Sequence, residues 1–255
     1  MSKNYFYLKK FEKIINIGFF SSRGGMSKED YHSLNCSKAN NDNKNNVLKN
    51  IKIAKKNLGI AGKQLKLISQ IHSNKVIKID KKNYKSTLVG DGLITKNKDI
   101  ALGILTADCA PIFIFDYQKK IICSLHSGWK GTLSNIVASA IKKINKNKID
   151  NNKLIAIIGP CLAYKYFEVD KKFKLKFIKK NNYYSKFFKY KNKNKDYFNL
   201  RGILNYQLNA EGISQIYNIK KDTYKNSDLF FSHRRATHQN KKFTGRMINI
   251  ISFRD

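Results

Sequence analysis

The chain has 255 residues, of which 42% are hydrophobic, enough to bury the core of one large domain or two small ones. The formal net charge of +34 at first suggests a nucleic-acid-binding protein. Only six of the 51 basic residues are Arg, however, and the Lys are spread among Asn and Ile through every segment. This pattern favours compositional drift over a dedicated nucleic-acid surface.

The hydrophobic patterning predicts an α+β protein in which strands outnumber helices. In chain order, we predict strands near 14–20, 65–71, 75–80, 100–106, 111–116, 120–126, 153–158, 228–232 and 246–252. A weak helical stripe runs from Val47 to Leu58, a strong one runs from Leu133 to Ile144 with Thr132 as N-cap, and a third helix covers about 200–210. The clustering of strands favours a layered sandwich over a regular βαβ array.

The segment 171–198 is rich in both Lys and aromatic residues. One interpretation is a Lys-rich helix and loop whose aromatic side chains turn inward. The other is a surface on which RNA bases stack. The charge argument favours the first.

Cysteine usage and the terminal sequence predict a cytoplasmic protein. Four Cys are widely spaced without a CxxC pair, and the first twenty residues have no signal-peptide core. The longest apolar stretch, 100–115, is interrupted by Asp108, so no membrane span is predicted. With only two Pro and no Ser/Gly-rich linker, residues 1–255 are expected to form one domain.

Three short segments combine reactive and small residues, and each follows a predicted apolar strand. They are QIHSNKV from residue 70, TADCAP from residue 106 and HSGWKGT from residue 126. His72, Cys109 and His126 would therefore stand at strand ends, where rigid elements present side chains to a cleft. One thiolate and two imidazoles suit Zn²⁺ and leave a fourth tetrahedral position open, as in catalytic zinc sites. A lone Cys among apolar residues is also common as a core residue.

The turn after His126 offers a second feature. Gly128 and Gly131 allow close backbone approach, and the helix predicted from Thr132 would direct its N-terminus toward an anion. Alternatively, the glycines only form a strand-to-helix turn above Trp129.

An ordered set of motifs covers nearly the whole chain and resembles the YfiH family, also called the laccase-domain, multicopper polyphenol oxidase or peptidoglycan editing factor family, and more recently purine nucleoside phosphorylase. The motifs are FFSSRGGMS from residue 19, YHSLNC from 31, QIHSNKV from 70, GDGLIT from 90, GILTADCAPIFIFD from 103, HSGWKGT from 126, IGPCL from 158, FEVD from 167, FFSHRR from 230 and TGRM from 244.

This resemblance implies a four-layer α/β/β/α sandwich and zinc bound by His72, Cys109 and His126. It implies phosphorolysis of adenosine, inosine and methylthioadenosine to free base and ribose 1-phosphate, with accompanying adenosine deaminase activity. The expected partners are these nucleosides and phosphate, and the chain is expected to be a monomer or a homodimer. Motif matching places Arg23 and Asn35 near the substrate, with Arg246 and Arg234 as further candidates. These two Arg could equally hold the fold together.

Asp108, next to Cys109, is predicted to be a hydrogen-bond acceptor for the metal ligands or a proton carrier, or else to cap a turn before Pro111.

Three other functions use the same residues or the same charge. A thiol hydrolase with Cys109 as nucleophile and His126 as base could cut an amide in a peptidoglycan precursor. A copper oxidase is disfavoured because only His32, His233 and His238 remain for further ligands, so Cu²⁺ is a less favoured metal than Zn²⁺. The third alternative is a basic nucleic-acid-binding module, which a steep salt dependence of duplex binding would support.

Overall fold

Strands dominate the structure, a computed structural model that describes residues 4–116, 118, 120–145 and 150–254. In these ranges the strands are β1 (Tyr5–Phe6), β2 (Ile15–Phe20), β3 (Gln64–Lys66), β4 (Val76–Ile79), β5 (Gly92–Thr95), β6 (Ile100–Thr106), β7 (Ala110–Asp116), β8 (Ile122–Ser127), β9 (Leu154–Ile158), β10 (Glu168–Asp170), β11 (Phe188–Tyr190), β12 (Lys195–Phe198), β13 (Gln215–Asn218) and β14 (Met247–Phe253). The α-helices are α1 (Lys44–Asn57), α2 (Trp129–Leu133), α3 (Ile136–Asn145), α4 (Lys171–Lys180), α5 (Leu200–Ala210) and α6 (His233–His238). Short 3₁₀ turns cover Lys9–Phe11, Glu29–Tyr31, Asn151–Lys153, Tyr164–Tyr166 and Asn182–Phe187.

The strands form two large mixed sheets and one small sheet. The first large sheet has the order β1-β2-β14-β6-β3, and the second has the order β13-β9-β7-β8-β5-β4. Three neighbouring pairs, β3 with β6, β4 with β5 and β9 with β13, are parallel, and the others in these sheets are antiparallel. The small antiparallel sheet has the order β10-β12-β11.

Strands β2 and β7 are apolar on both faces, so each large sheet can pack against the other sheet on one face and against helices on the other. Phe19 of β2 and Phe113 of β7 point into the space between the sheets, where their rings stack with centroids 4.6 Å apart. The next residue of β2, Phe20, points outward and packs with Ala54 of α1. The outward face of the second sheet packs instead against α3 and α5. This gives the order helix, sheet, sheet, helices, so the predicted four-layer α+β sandwich is confirmed.

The helix predicted from Thr132 begins earlier and is broken in two. Thr132 lies inside α2, where its hydroxyl donates to the Gly128 carbonyl oxygen over 2.9 Å, so the predicted N-cap is wrong. Asn135 separates α2 from α3 with a φ of 54°, and its side chain accepts a hydrogen bond from the backbone N–H of Ala138. The helix N-terminus nearest His126 is therefore that of the five-residue α2.

Two predicted strands also need correction. Residues 228–232 are not a strand: Phe230 and Phe231 bury their rings in a small cluster with Ala107 and Met247, and the chain continues directly into α6. The strand predicted at 65–71 ends at Lys66. Beyond it, the side-chain amide of Gln70 both donates to and accepts from the backbone of Leu105, and so replaces a strand partner for β6.

In the basic, aromatic segment 171–198, most of the aromatic side chains point inward. Phe177, Tyr184 and Phe198 are buried, and Phe173 packs against the same cluster. The interpretation as a Lys-rich helix and loop is confirmed for these residues, which are not available for stacking on bases. Tyr183 and Tyr190 are exposed. None of the helices in the described ranges combines the length and apolarity needed to cross a membrane.

Candidate metal centre

Three separate segments bring His72, Cys109 and His126 to one place. His126 lies in β8, opposite Pro111 of β7, so Cys109 at the start of β7 is beside it. His72 comes from the loop between β3 and β4, in the left-handed region with a φ of 58°. Among the described residues, this is the one group of three or more His, Cys, Asp or Glu side chains close enough to share a metal ion.

The ligand atoms have the spacing that a small tetrahedral ion requires. Cys109 Sγ is 4.0 Å from His72 Nε2, and the three ligand atoms all lie within 4.8 Å of one another. Tetrahedral Zn²⁺ places its sulfur and nitrogen ligands about 3.6 Å apart, so the three ligand atoms would move inward around the ion, with the widest separation shortening by about 1 Å. The donor set therefore fits zinc, and His72 is exposed, which leaves an approach from solvent.

Asp91 is a functional residue that sequence reasoning did not single out. Its fully buried carboxylate accepts a 2.8 Å hydrogen bond from His126 Nδ1. It also accepts from the backbone N–H groups of Ile71, His72 and Ser73, and from the Ser73 hydroxyl. One side chain thus orients the His126 ring and fixes the loop that carries His72. A carboxylate behind a ligating imidazole is a common arrangement around protein-bound metals.

In this site, the charged forms of Cys109, His126 and Asp91 stabilise one another. Burial alone would raise the pKa of Cys109, but the nearby His126 and His72 outweigh it and lower that pKa to about 6. Burial alone would lower the pKa of His126, but the Cys109 thiolate and Asp91 raise it to about 9. Asp91 behaves likewise: hydrogen bonds from His126 and Ser73 overcome its burial and lower its pKa to about 2. Cys109 is therefore predisposed to be a thiolate, the form that binds metals.

Gly128 is required by the close packing of the ligands. A Cβ atom at this position would lie 2.9 Å from Cys109 Sγ and 3.0 Å from His72 Cδ2. The turn after β8 thus needs glycine for space rather than for an unusual φ, since its φ is −81°. The turn leads into α2 and forms one side of the site.

The carboxylate oxygens of Asp108 bond to groups other than the metal ligands. One accepts from the Thr223 hydroxyl over 2.6 Å, and the other accepts from the backbone N–H of Arg234 over 2.6 Å. Asp108 has a φ of 86°, consistent with its position in the tight turn before β7. The acceptor for a ligating imidazole is Asp91 instead, and a role for Asp108 in proton transfer stays a prediction.

A cavity of about 850 Å³ opens beside the three ligands, and Arg246 lines it. Arg246 Nη1 donates to the carbonyl oxygens of Thr244 and Gly245. Within the described chain, its Nε and Nη2 have no hydrogen-bond partner and it forms no ion pair. Asn35 is buried next to it and accepts from the backbone N–H of Arg246, so this predicted substrate residue acts here by positioning Arg246.

A second cavity, of about 310 Å³, also borders Cys109. Arg234 lines it, donates to the Glu168 carbonyl oxygen and lies over the ring of Phe167. The two cavities share four lining residues, namely His72, Ala107, Cys109 and His233. They therefore meet at the candidate metal centre.

Arg23 is not brought into either cavity. Its guanidinium is exposed and donates to the carbonyl oxygen and the carboxylate of Asp228, each over 2.7 Å. The predicted contact of Arg23 with substrate stays a prediction.

Sequence reasoning gave no role to Asp91, and none to His233 beyond counting it among the histidines. Asp91 lies in the motif GDGLIT. The sequence feature that could have identified it is an acidic residue between two glycines, immediately before an apolar strand.

Comparisons with family models, known proteins and solved structures agree on one family. The family model described as multi-copper polyphenol oxidoreductase laccase matches residues 16–254. A purine nucleoside phosphorylase of Rickettsia prowazekii is 32% identical over 186 residues, which is 72% of this chain and 76% of that protein. A purine nucleoside phosphorylase of Campylobacter jejuni is 34% identical over 190 residues, covering 74% and 76%. Among solved structures, the hypothetical protein YfiH of Bacillus licheniformis is similar with a TM-score of 0.91 at 25% identity, covering 99% of this chain and 97% of that one.

Proposed function

The chain belongs to the multi-copper polyphenol oxidoreductase laccase family, and we propose that it is a zinc-dependent purine nucleoside phosphorylase. Its substrates are inosine, adenosine and methylthioadenosine, and the products are free base and ribose 1-phosphate. The observation that carries this proposal is the cavity of about 850 Å³ that contains both the three candidate ligands and Arg246. Cavities of this size accommodate small-molecule substrates.

Arg246 is the residue best suited to bind phosphate. It is partly buried, and burial lowers its pKa, an effect that the nearby Cys109 and Asp108 oppose. A guanidinium that uses only Nη1 inside the protein has donors left for a forked contact with an oxyanion. A bound phosphate dianion would supply the anionic hydrogen-bond partner that Nε and Nη2 of Arg246 lack among the described residues.

His72, Cys109 and His126 would hold the zinc ion, with Asp91 keeping Nδ1 of His126 as donor and Nε2 as ligand. Bound zinc would supply a positive charge and an open coordination position, the Lewis-acid chemistry on which the accompanying deamination of adenosine would depend. The residues of the chain contribute orientation: Asp91 fixes two ligands, Asn35 holds the Arg246 backbone, and Gly128 leaves the ligands room.

Free thiols at all four Cys agree with a cytoplasmic location.

Two kinetic constants separate a phosphate contact from a general effect on folding. Replacing Arg246 by Gln should raise the KM for phosphate by about 10²-fold and change the KM for inosine little, because the loss of a charged hydrogen bond costs about 1.5–3 kcal/mol. Arg201→Gln is the matched control, since Arg201 bonds to the Gly159 carbonyl and Asn218 and lines neither cavity. If the KM for phosphate is unchanged in Arg246→Gln, phosphate binds elsewhere.

A second candidate function has one observation in its favour. The low pKa of Cys109 and the high pKa of His126 describe a thiolate–imidazolium pair, which is also the resting state of many cysteine hydrolases. Such an enzyme would cut an amide of a peptidoglycan precursor without metal. Metal analysis decides between the two: a phosphorylase of the proposed kind needs about one zinc per chain, and a thiol hydrolase keeps its activity in the presence of chelator.

A further inference from the structure

The cavity of about 310 Å³ differs in chemistry from the larger one. Four of its lining residues, Trp129, Leu162, Phe167 and Leu200, form an apolar and aromatic wall. The Arg234 guanidinium donates through Nη1 to the Glu168 carbonyl oxygen and lies over the Phe167 ring, and the Asp108 carboxylate, which accepts from the Thr223 hydroxyl and the Arg234 backbone N–H, disfavours a second anion in this cavity. A flat, uncharged heteroaromatic ring suits this wall better than a phosphate does.

The two cavities meet where the reaction must take place. In phosphorolysis, phosphate and base lie on opposite sides of the anomeric carbon of the sugar. With phosphate at Arg246 in the larger cavity, the base extends into the smaller one, and the bond that breaks lies at the junction. Of the residues shared by both cavities, His72 and Cys109 are metal ligands and Ala107 has no polar side chain.

The remaining shared residue is His233, at the start of α6. Its side chain is exposed at the mouth of both cavities, and its imidazole has no hydrogen-bond partner among the described residues. A departing purine needs a proton at N7, because otherwise it leaves as an anion. Imidazole is the side chain most often used for such a transfer.

We propose that the smaller cavity binds the purine base and that His233 is the catalytic residue that protonates it. This rests on the proposed function. In the step, the C1′–N9 bond breaks and its electron pair moves to the purine, while a phosphate oxygen forms the new bond to C1′. His233 gives its proton to N7 and regains one from the HPO₄²⁻ that has become the sugar phosphate ester.

The first test follows the base directly and needs no turnover. Trp129 is the only tryptophan of the chain and lines the smaller cavity, so its fluorescence reports on that cavity alone. Hypoxanthine should change the emission in a saturable manner, and inorganic phosphate alone should not. Phe167→Ala should weaken hypoxanthine binding. If calorimetry shows that hypoxanthine binds without any change in emission, or does not bind, the assignment of this cavity is wrong.

The second test isolates the proton. 7-Methylinosine already carries a positive charge on its purine and needs no proton to leave. His233→Ala should lower kcat/KM for inosine by about 10²-fold or more, but lower it for 7-methylinosine by less than about fivefold. His238→Ala is the control, because His238 ends the same helix, bonds to the Tyr224 hydroxyl and lines neither cavity. Equal losses on both nucleosides would overturn the role of His233, whereas wild-type protein that cleaves neither would contradict the proposed function instead.

Discussion

Replacing Asp91 by Asn removes the charge that orients two of the three candidate ligands. One carboxylate oxygen accepts from His126 Nδ1 and the His72 N–H, and the other accepts from Ile71 and from Ser73. Asn can present an acceptor to only one of these sets. In its better orientation it keeps His126 and His72, and it leaves the N–H groups of Ile71 and Ser73 facing an amide nitrogen.

The magnitude follows from two independent estimates. The loss of the two partly buried hydrogen bonds from the Ile71 and Ser73 N–H groups costs about 1 kcal/mol each. A carboxylate whose pKa is lowered to about 2 stabilises the folded state by roughly 2–3 kcal/mol at neutral pH, a contribution that disappears as the pH falls from about 4 toward 2. We therefore expect Asp91→Asn to lower the free energy of unfolding by about 2–3 kcal/mol and to weaken zinc binding by about 10–100-fold.

The assay combines thermal unfolding of the metal-free protein with a zinc titration against a chromophoric chelator. Asp116→Asn is the matched control: Asp116 is equally buried, but one oxygen accepts both of its hydrogen bonds, from the N–H groups of Lys120 and Ile121, and Asn retains such an oxygen. The control should bind zinc like wild type. Zinc affinity within about twofold of wild type in Asp91→Asn would refute the positioning role of Asp91.

Three further predictions concern the ligands and the surface. Gly128→Ala should displace Cys109 and His72 and reduce zinc content, whereas Gly62→Ala should not, because a Cβ at Gly62 contacts nothing within 4 Å; equal zinc in both proteins would show that the ligands tolerate the added atom. Cys109→Ala and His72→Ala should each lose the single equivalent of zinc measured by elemental analysis, and full occupancy in either would exclude that residue as a ligand. Binding to duplex DNA should be weak, insensitive to sequence and lost at moderate salt in a fluorescence-anisotropy titration, because the net charge of +34 comes from dispersed Lys; tight, sequence-selective binding at physiological salt would contradict this.

The sequence predicted the layered fold because buried strands carry a strong local signal. The nearly continuous apolar runs of β2 and β7 specify strands with two apolar faces, and the stripe of α5 at 200–210 specifies a helix with one. The apolar run at 228–232 gave the same signal for a different reason, since Phe230 and Phe231 are buried in a cluster with Ala107 and Met247 although their own segment is not a strand. Local periodicity does not distinguish these two forms of burial.

The three candidate ligands could be predicted from the sequence, whereas the residues that hold them in position could not. His72, Cys109 and His126 are chemically distinctive and follow apolar strands, so their convergence could be expected from the sequence. The role of Asp91 depends on a contact with His126 across 35 positions of the chain and on three backbone N–H groups, which no residue pattern encodes. The position of His233 at the junction of two cavities likewise depends on tertiary structure alone.

The fate of phosphate tests the central claim most directly. Zinc-loaded protein is incubated with inosine and inorganic phosphate, the reaction is followed by ³¹P NMR, and hypoxanthine is quantified in the same sample. We predict that the inorganic phosphate signal declines and a sugar 1-phosphate signal grows, one for each hypoxanthine released, and that no hypoxanthine forms without phosphate. Release of hypoxanthine while the phosphate signal stays constant, or no release at all, would contradict the assignment as a phosphorylase.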